Sequence, residues 1–175
     1  MNINDFVLSN NLQPADAVIL HKKFMGMVDH FVIYLGNEEN EPKFVANFTK
    51  GIKVLPNEEI NKQLKKYVPK KIERYPGNNF HRQEAVNRAL SRLGEKAYGF
   101  FSNNCEHFKN WVHYGKQYSK QVDIAGTTFT TTGGLMTIGG VLSSHKKTRN
   151  WGAALLLLGL GLKFLAERNN DSDKV

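Results

Sequence analysis

The chain has 175 residues, a formal net charge of +8, and 41% hydrophobic and 23% charged residues. These values are ordinary for a globular protein with a single core, and they give no sign of disorder in its body. A single cysteine excludes an internal disulfide, so stability does not depend on an oxidising compartment. The first residues lack the basic and apolar segments of a signal peptide, so we expect a cytoplasmic protein.

The first half of the sequence predicts an antiparallel meander. Apolar and alternating runs indicate strands near residues 17–22, 30–35, 43–48 and 52–55, with turns at 36–42 and around 50–51. A helix is predicted to start at residues 56–59, and residues 62–74 are predicted to be a basic connector without a clear period. A second helix is expected from about residue 80 to residue 93, where Gly94 would end it.

The only cysteine, Cys105, lies in the run Asn103-Asn104-Cys105-Glu106-His107-Phe108, where a further helix is predicted to begin. Apolar residues follow it at helical spacing, and either asparagine suits the N-cap. The first turn of a helix stabilises a thiolate through its N–H groups and the positive end of its dipole. Cys105 is therefore either a reactive nucleophile or an inert residue of the core.

A thiol nucleophile needs an imidazole as its base, and His30 is the candidate. It opens the predicted strand Asp29-His30-Phe31-Val32-Ile33-Tyr34-Leu35-Gly36, which alternates in polarity. A strand on a rigid sheet can hold a side chain accurately against the start of a helix. Without further indications, His30 could equally be an ordinary buried histidine.

Three stretches of the chain form a pattern in this order: Pro14-Ala15-Asp16-Ala17-Val18-Ile19, the stretch from Asp29 to Gly36, and Asn104-Cys105-Glu106-His107-Phe108, which is the most specific. Together they resemble the lecithin retinol acyltransferase-like, or NC-domain, family. The resemblance implies an α+β fold, a circularly permuted papain-like domain of the NlpC type with an antiparallel sheet and packed helices. It also implies that Cys105 is the nucleophile and that His30 is the base.

The sequence departs from the family at two positions. Many relatives carry a second histidine where this chain has Asn47, and an asparagine carbonyl can also orient an imidazole, as in the Cys-His-Asn sites of papain-like enzymes. Asn47 followed by Gly51 could also be simple turn chemistry. Ala15 stands where a glycine is common before the aspartate. The expected catalytic residues are therefore Cys105, His30 and Asn47.

The composition changes after Asp123, which divides the chain into a catalytic domain, residues 1–122, and a tail, residues 123–175. Residues 124–142 carry no charge, and residues 151–166 are strongly apolar with only Lys163 interrupting them. A hydrophobic helical tail that associates with a membrane is expected. The alternative is a soluble helical pair that packs on the catalytic domain or on another copy of the chain.

The positive charge also favours a membrane surface as partner over nucleic acid, because no nucleic-acid-binding motif accompanies it. The basic residues of the 62–74 connector could equally form a solvated surface. They are Lys62, Lys65, Lys66, Lys70, Lys71 and Arg74.

Together with these features, the family resemblance implies a thiol-dependent phospholipase A or acyltransferase that acts on glycerophospholipid esters through an acyl-thioester on Cys105. Its partners would be a phospholipid membrane, a lipid acyl donor and an acyl acceptor. A thiol peptidase or amidase and a noncatalytic membrane-recruitment module remain the alternatives. No cofactor is expected, and no metal site either, because Cys105, His107 and His113 lack the spacing of zinc ligands.

Overall fold

The structure is a computed structural model that describes residues 2–21, 29–96, 99 and 104–171. It divides into two compact units, Met1–Gln117 and Tyr118–Val175. The first contains a sheet with helices on both faces, and the second is helical.

The N-terminal unit has nine regular elements in the residues described. In chain order they are α1 (Ile3–Ser9), β1 (Ala17–His21), β2 (His30–Glu38), β3 (Glu41–Phe48), β4 (Gly51–Leu55), α2 (Asn57–Lys66), β5 (Val68–Glu73), α3 (Asn79–Ser91) and α4 (Cys105–Tyr114). The sheet order is β4-β3-β2-β1-β5, and the neighbouring strands are antiparallel. The predicted α+β architecture is confirmed. The predicted end of the first strand at Lys22 lies outside the described residues.

The prediction of an irregular connector over residues 62–74 is wrong. Helix α2 continues to Lys66, and β5 follows at once and pairs with β1, with Ile19 opposite Lys71. Strand β5 is an edge strand, and edge strands accept proline and exposed lysine because one side of their backbone has no partner. Pro69 and Lys71 therefore concealed a strand whose Ile72 packs against the core.

The two faces of the sheet carry separate cores because strand side chains alternate. On β3, Phe44 and Ala46 face one cluster and Val45 faces the other. Helices α1 and α2 cover the first cluster, and α4 packs on β2 and β3 over the second, with α3 beside it. The second face is therefore the one against which the start of α4 is held.

The carboxylate of Asp16 is fully buried just before β1 and is bound from three directions. Its Oδ2 accepts from the Gln13 amide (3.0 Å) and Arg74 Nη1 (2.7 Å), and its Oδ1 accepts from the Tyr75 amide (3.0 Å) and Arg82 Nη1 (2.8 Å). Burial alone would raise the pKa of Asp16, but these hydrogen bonds outweigh it and hold the pKa below its ordinary value. The end of β5 and the start of α3 are thereby tied to the loop that precedes β1.

Ala15 has a φ of 70°, in the left-handed region that favours glycine, and is fully buried. Its amide donates to the Tyr34 carbonyl (2.7 Å), and its carbonyl accepts from His113 Nε2 (2.7 Å) on α4. Burial lowers the pKa of His113 to about 4, so the ring is neutral at pH 7 and donates from Nε2. The last turn of α4 is therefore held beside Asp16.

The C-terminal unit is a pair of antiparallel helices, α5 (Lys120–Leu142) and α6 (Lys146–Asp171). The Ser119 hydroxyl accepts from the Val122 amide (3.3 Å) and caps α5. The predicted hydrophobic helical tail is confirmed. Residues Lys146–Arg168 of α6 are long and apolar enough to cross a membrane by length and composition.

We expect Asp16→Asn to lower the free energy of unfolding by about 3 kcal/mol, because it leaves the guanidinium of Arg82 without its counter-charge. Urea unfolding followed by near-UV circular dichroism measures the change. The control is Glu41→Gln, which removes an exposed carboxylate that lies 3.3 Å from Lys43 Nζ and should cost less than about 0.5 kcal/mol. Equal losses in the two variants would contradict the importance of the buried carboxylate.

Because of His113, the free energy of unfolding should decrease as the pH falls. Its folded-state pKa is about 4 and its ordinary pKa is 6.5, so the unfolded chain takes up the proton first as the pH drops. The contribution is complete above pH 6.5 and is lost as the pH falls towards 4, by up to about 3 kcal/mol. His113→Gln can still donate to the Ala15 carbonyl and should flatten the pH dependence of unfolding by this amount. The exposed His81→Gln should leave it unchanged.

Candidate functional site

Cys105 is the first residue of α4, and its side chain is buried. Asn104 is the N-cap of the helix, and its Oδ1 accepts from the amides of Glu106 (2.9 Å) and His107 (3.1 Å). Gly115 ends the helix in the left-handed conformation, with a φ of 69°. The thiol therefore lies at the positive end of a helix that is capped at both ends, as the sequence predicts.

His107 belongs to the cap and not to a proton-transfer site. Its Nδ1 lies 3.0 Å from Asn104 Oδ1 and 3.4 Å from the Asn104 amide nitrogen, which completes a capping box. Burial lowers the pKa of His107 to about 4, so the ring is neutral at pH 7. Its Nε2 is buried and has no hydrogen-bond partner within the part of the chain that the structure describes. The ring is held in place by the helix start that it helps to define.

The start of β2 lies directly beside the thiol. Cys105 Sγ is 3.4 Å from the carbonyl oxygen of Asp29, and Cys105 forms a small apolar cluster with Ile19 and Phe31. His30 stands between Asp29 and Phe31 as the first residue of β2 and is buried. Of the residues on either side of His30, Asp29 thus contacts Cys105 directly and Phe31 shares an apolar cluster with it.

The His30 ring also contacts strand β3. It packs against the ring of Phe48 with 5.0 Å between centroids, and its main chain pairs with Leu20 of β1. Phe48 is the last residue of β3 and follows Asn47 directly. His30 is therefore enclosed by the two strands that flank β2.

Asn47 approaches the same helix start from β3. It is buried, and its Nδ2 lies 3.5 Å from the carbonyl oxygen of Asn104, the residue before the cysteine. The pairing of Asn47 with Ile52 of β4 places it inside regular sheet and not in the turn that follows. The start of β2, the end of β3 and the start of α4, which carry His30, Asn47 and Cys105, therefore meet at one corner of the sheet.

An ion pair between a buried lysine and a half-buried glutamate, one helical turn beyond the thiol, was not predicted. Lys109 Nζ lies 2.9 Å from Glu73 Oε1 on β5, 5.5 Å from the centroid of the Phe31 ring and 5.8 Å from that of Tyr114. Burial alone would raise the pKa of Glu73, but Lys109 outweighs it and lowers that pKa. The only sequence signal was the four-residue spacing between Cys105 and Lys109, which puts both on one helix face.

The described residues contain no group of three or more histidine, cysteine, aspartate or glutamate side chains that could hold a metal ion. His107 and His113 have separate hydrogen-bond partners, Asn104 and the Ala15 carbonyl. The two rings therefore belong to separate contacts at opposite ends of α4.

A search of curated proteins gives no match to the chain. A profile of the lecithin retinol acyltransferase family matches residues 10–118. That range is more than half of the 175 residues and includes the whole sheet, α4 and the three candidate residues. The chain therefore belongs to the lecithin retinol acyltransferase family.

Proposed function

We propose that the N-terminal unit is a thiol-dependent phospholipase A or acyltransferase that acts on glycerophospholipid esters. Membership of the family indicates acyl-transfer or phospholipase-type chemistry on a lipid. The observation that carries the proposal is the position of the only thiol of the chain. It lies at the first residue of α4, in contact with the residue that precedes a buried histidine.

In the first half-reaction, the Cys105 thiolate attacks the ester carbonyl carbon of the lipid and forms a carbon–sulfur bond. The ester C–O bond then breaks, and the imidazolium of His30 gives its proton to the departing lysolipid oxygen. The products are a lysolipid and an acyl-thioester on Cys105. The helix start favours this step because its dipole stabilises the thiolate.

The tetrahedral intermediate carries an oxyanion that needs hydrogen-bond donors. The amides of Glu106 and His107 donate to the Asn104 side chain. The Cys105 amide is the first-turn N–H outside that cap, so we assign it to the oxyanion. A backbone donor of this kind contributes about 3 kcal/mol in comparable enzymes.

The second half-reaction uses His30 as base, which takes a proton from water or from a lipid hydroxyl or amine as that oxygen or nitrogen attacks the thioester.

Asn47 is assigned to orienting the His30 ring. Its Nδ2 reaches the carbonyl oxygen of Asn104 next to the thiol, so its side chain lies at the helix start where the base would act. An amide, like the carboxylate or second histidine of other sites, can hold an imidazole through a hydrogen bond without taking its proton.

The substrate of such an enzyme lies in a membrane, and the exposed apolar surface of the C-terminal unit supports association with one. Ten of the exposed large apolar side chains belong to this unit, among them Leu135, Leu157 and Phe164. We place the protein in the cytoplasm, held at a phospholipid membrane through residues 123–175, with residues 1–122 as the catalytic domain.

The decisive experiment looks for the acyl-thioester. The full chain is incubated with vesicles of acyl-labelled phosphatidylcholine or with labelled peptide amides, and the intact mass and the modified residue are determined. We expect an acyl adduct on Cys105 from the phospholipid, sensitive to hydroxylamine. The adduct should be absent in Cys105→Ala, and its formation should slow about 10³-fold in His30→Ala.

The exposed His81→Ala is the matched control and should form the adduct at the parent rate. Adduct from the peptide amides and not from the lipid would identify a thiol amidase. No adduct from either, or equal rates in His30→Ala and the parent, would contradict the catalytic assignment.

Asn47→Ala should slow adduct formation less than His30→Ala does, by about tenfold to a hundredfold, because orienting partners of a histidine typically have effects of this size. Asn47→His should retain more activity than Asn47→Ala, since an imidazole can also hydrogen-bond the His30 ring. The pH–rate profile should shift in both variants. The exposed Asn87→Ala is the control, and an unchanged profile in Asn47→Ala would remove Asn47 from the site.

A further inference from the structure

The C-terminal unit has its smallest residues between its helices. Glycines recur every seven residues in α5 and in α6 and face the other helix (Gly126, Gly133, Gly140, Gly152 and Gly159). A Cβ atom added at Gly133 would lie 2.3 Å from the backbone nitrogen of Leu156, and one at Gly159 would lie 2.3 Å from that of Thr130. The two backbones are therefore in direct contact, and no larger residue fits between them.

Large apolar side chains of the same unit point outward. Leu142 is 82% exposed, Leu157 is 70% exposed, and the others are between 46% and 68% exposed (Ile124, Leu135, Ile138, Val141, Trp151, Leu158, Leu160 and Phe164). A soluble helical pair places such residues between its helices, where they are removed from water. Small residues inside and large apolar residues outside are instead typical of helices packed within lipid.

Helix α5 satisfies much of its own polarity. The hydroxyls of Thr128, Thr130 and Thr137 donate to the carbonyls of Ile124, Gly126 and Gly133, at 2.9, 2.8 and 2.7 Å, and Ser143 donates to that of Gly139 at 2.7 Å. A hydroxyl bonded to the helix backbone does not need water, so it can enter hydrocarbon at low cost. Three of the six threonines of α5 therefore bring a satisfied hydroxyl into a membrane.

The charges of the unit stand at its two ends. Lys146, Lys147 and Arg149 follow the turn, while Asp123 and Lys163 stand towards the opposite end. The uncharged part of α5 is about 28 Å long, close to the hydrocarbon thickness of about 30 Å. On α6, Arg149 and Lys163 are about 21 Å apart along the axis, and their long side chains can reach the headgroups.

We propose that α5 and α6 enter the hydrocarbon of a phospholipid bilayer together as a closely packed hairpin that crosses it twice. The turn at residues 143–145 reaches the far side, and the two outer ends of the hairpin stay on one side. The occupant of the outer surface is lipid because the exposed apolar residues of α6 lie on both sides of its glycine stripe, so a partner on one face would not cover them. Leu157, Leu160 and Phe164 lie on one side, and Trp151 and Leu158 lie on the other. The proposal deepens the membrane association proposed above, and it does not depend on the acyl-transfer chemistry.

The single cysteine allows a direct test of topology. In a full-length Cys105→Ala background, single cysteines are introduced as Asn40→Cys in the β2–β3 turn, Ser144→Cys in the hairpin turn or Glu167→Cys near the end of α6. The proteins are reconstituted in vesicles of phosphatidylcholine and phosphatidylserine, and vesicles with the N-terminal unit outside are captured through an N-terminal affinity tag. A membrane-impermeant maleimide is added before and after detergent.

We expect Asn40→Cys and Glu167→Cys to react at once, and Ser144→Cys to react only after detergent. Protection of Glu167→Cys with reaction of Ser144→Cys would mean that α6 crosses alone, which overturns the hairpin. Immediate reaction of all three would mean that neither helix crosses, which overturns the proposal as a whole. Because these variants lack the thiol, none of the outcomes bears on the acyl-thioester.

The glycines provide a matched pair of variants for the packing. Gly133→Leu places a side chain against the backbone of Leu156, whereas a Cβ atom at Gly134 has nothing within 4 Å. In the Ser144→Cys protein, Gly133→Leu should abolish protection from the maleimide, because the separated helices expose their glycine surfaces, while Gly134→Leu should preserve it. Protection that survives Gly133→Leu would contradict insertion as a closely packed pair.

Discussion

The buried carboxylate of Asp16 is the constraint on which the N-terminal unit depends. It is fully buried and binds two guanidinium groups and two backbone amides. These bonds fix the loop before β1, the end of β5 and the start of α3 relative to one another. Removing a partner would leave a charge in a poorly solvated place. The neighbouring Ala15 carbonyl then receives His113 from the last turn of α4. The helix that carries the thiol is thus positioned from its far end by the residues around Asp16.

The opposite end of α4 is positioned by strand ends. The Asn104 side chain caps the helix, and its carbonyl lies near the amide of Asn47 on β3, while the thiol contacts the carbonyl of Asp29 before β2. Rigid elements therefore hold the thiol from both directions. This arrangement is what a nucleophile needs, since proton transfer depends on sub-ångström placement of the base.

Local patterns predicted most of the fold. Strands β1 to β4 alternate or are rich in β-branched residues, and α3 and α4 carry apolar residues at helical spacing, so periodicity was sufficient. The prediction of β5 failed because a strand tolerates these lysines and Pro69 only at the edge of a sheet. Its edge position arises from pairing with β1. That position is a property of the sheet and not of the segment, and no window of sequence contains it.

The same limit applies to the candidate site. A helix start and a strand start are local features, so Cys105 and His30 could be predicted, and the family resemblance added Asn47. The ion pair of Lys109 with Glu73 joins residues 36 positions apart and depends on β5, so it could not be predicted once that strand was missed. The structure also gives a reason for glycine in relatives where this chain has Ala15, since the backbone there has a φ of 70°.

The burial of the sole thiol has a consequence for how the protein can be observed. Cys105 is only 3% exposed in a chain that has no second cysteine. Reaction at Cys105, with a thiol reagent as with the ester carbonyl of the proposed substrate, therefore requires fluctuations that open the junction between α4 and β2, and each chain contributes a single signal. The ratio of the modification rates of native and denatured chains measures the free energy of that local opening. The stability of one corner can thus be followed separately from that of the whole molecule.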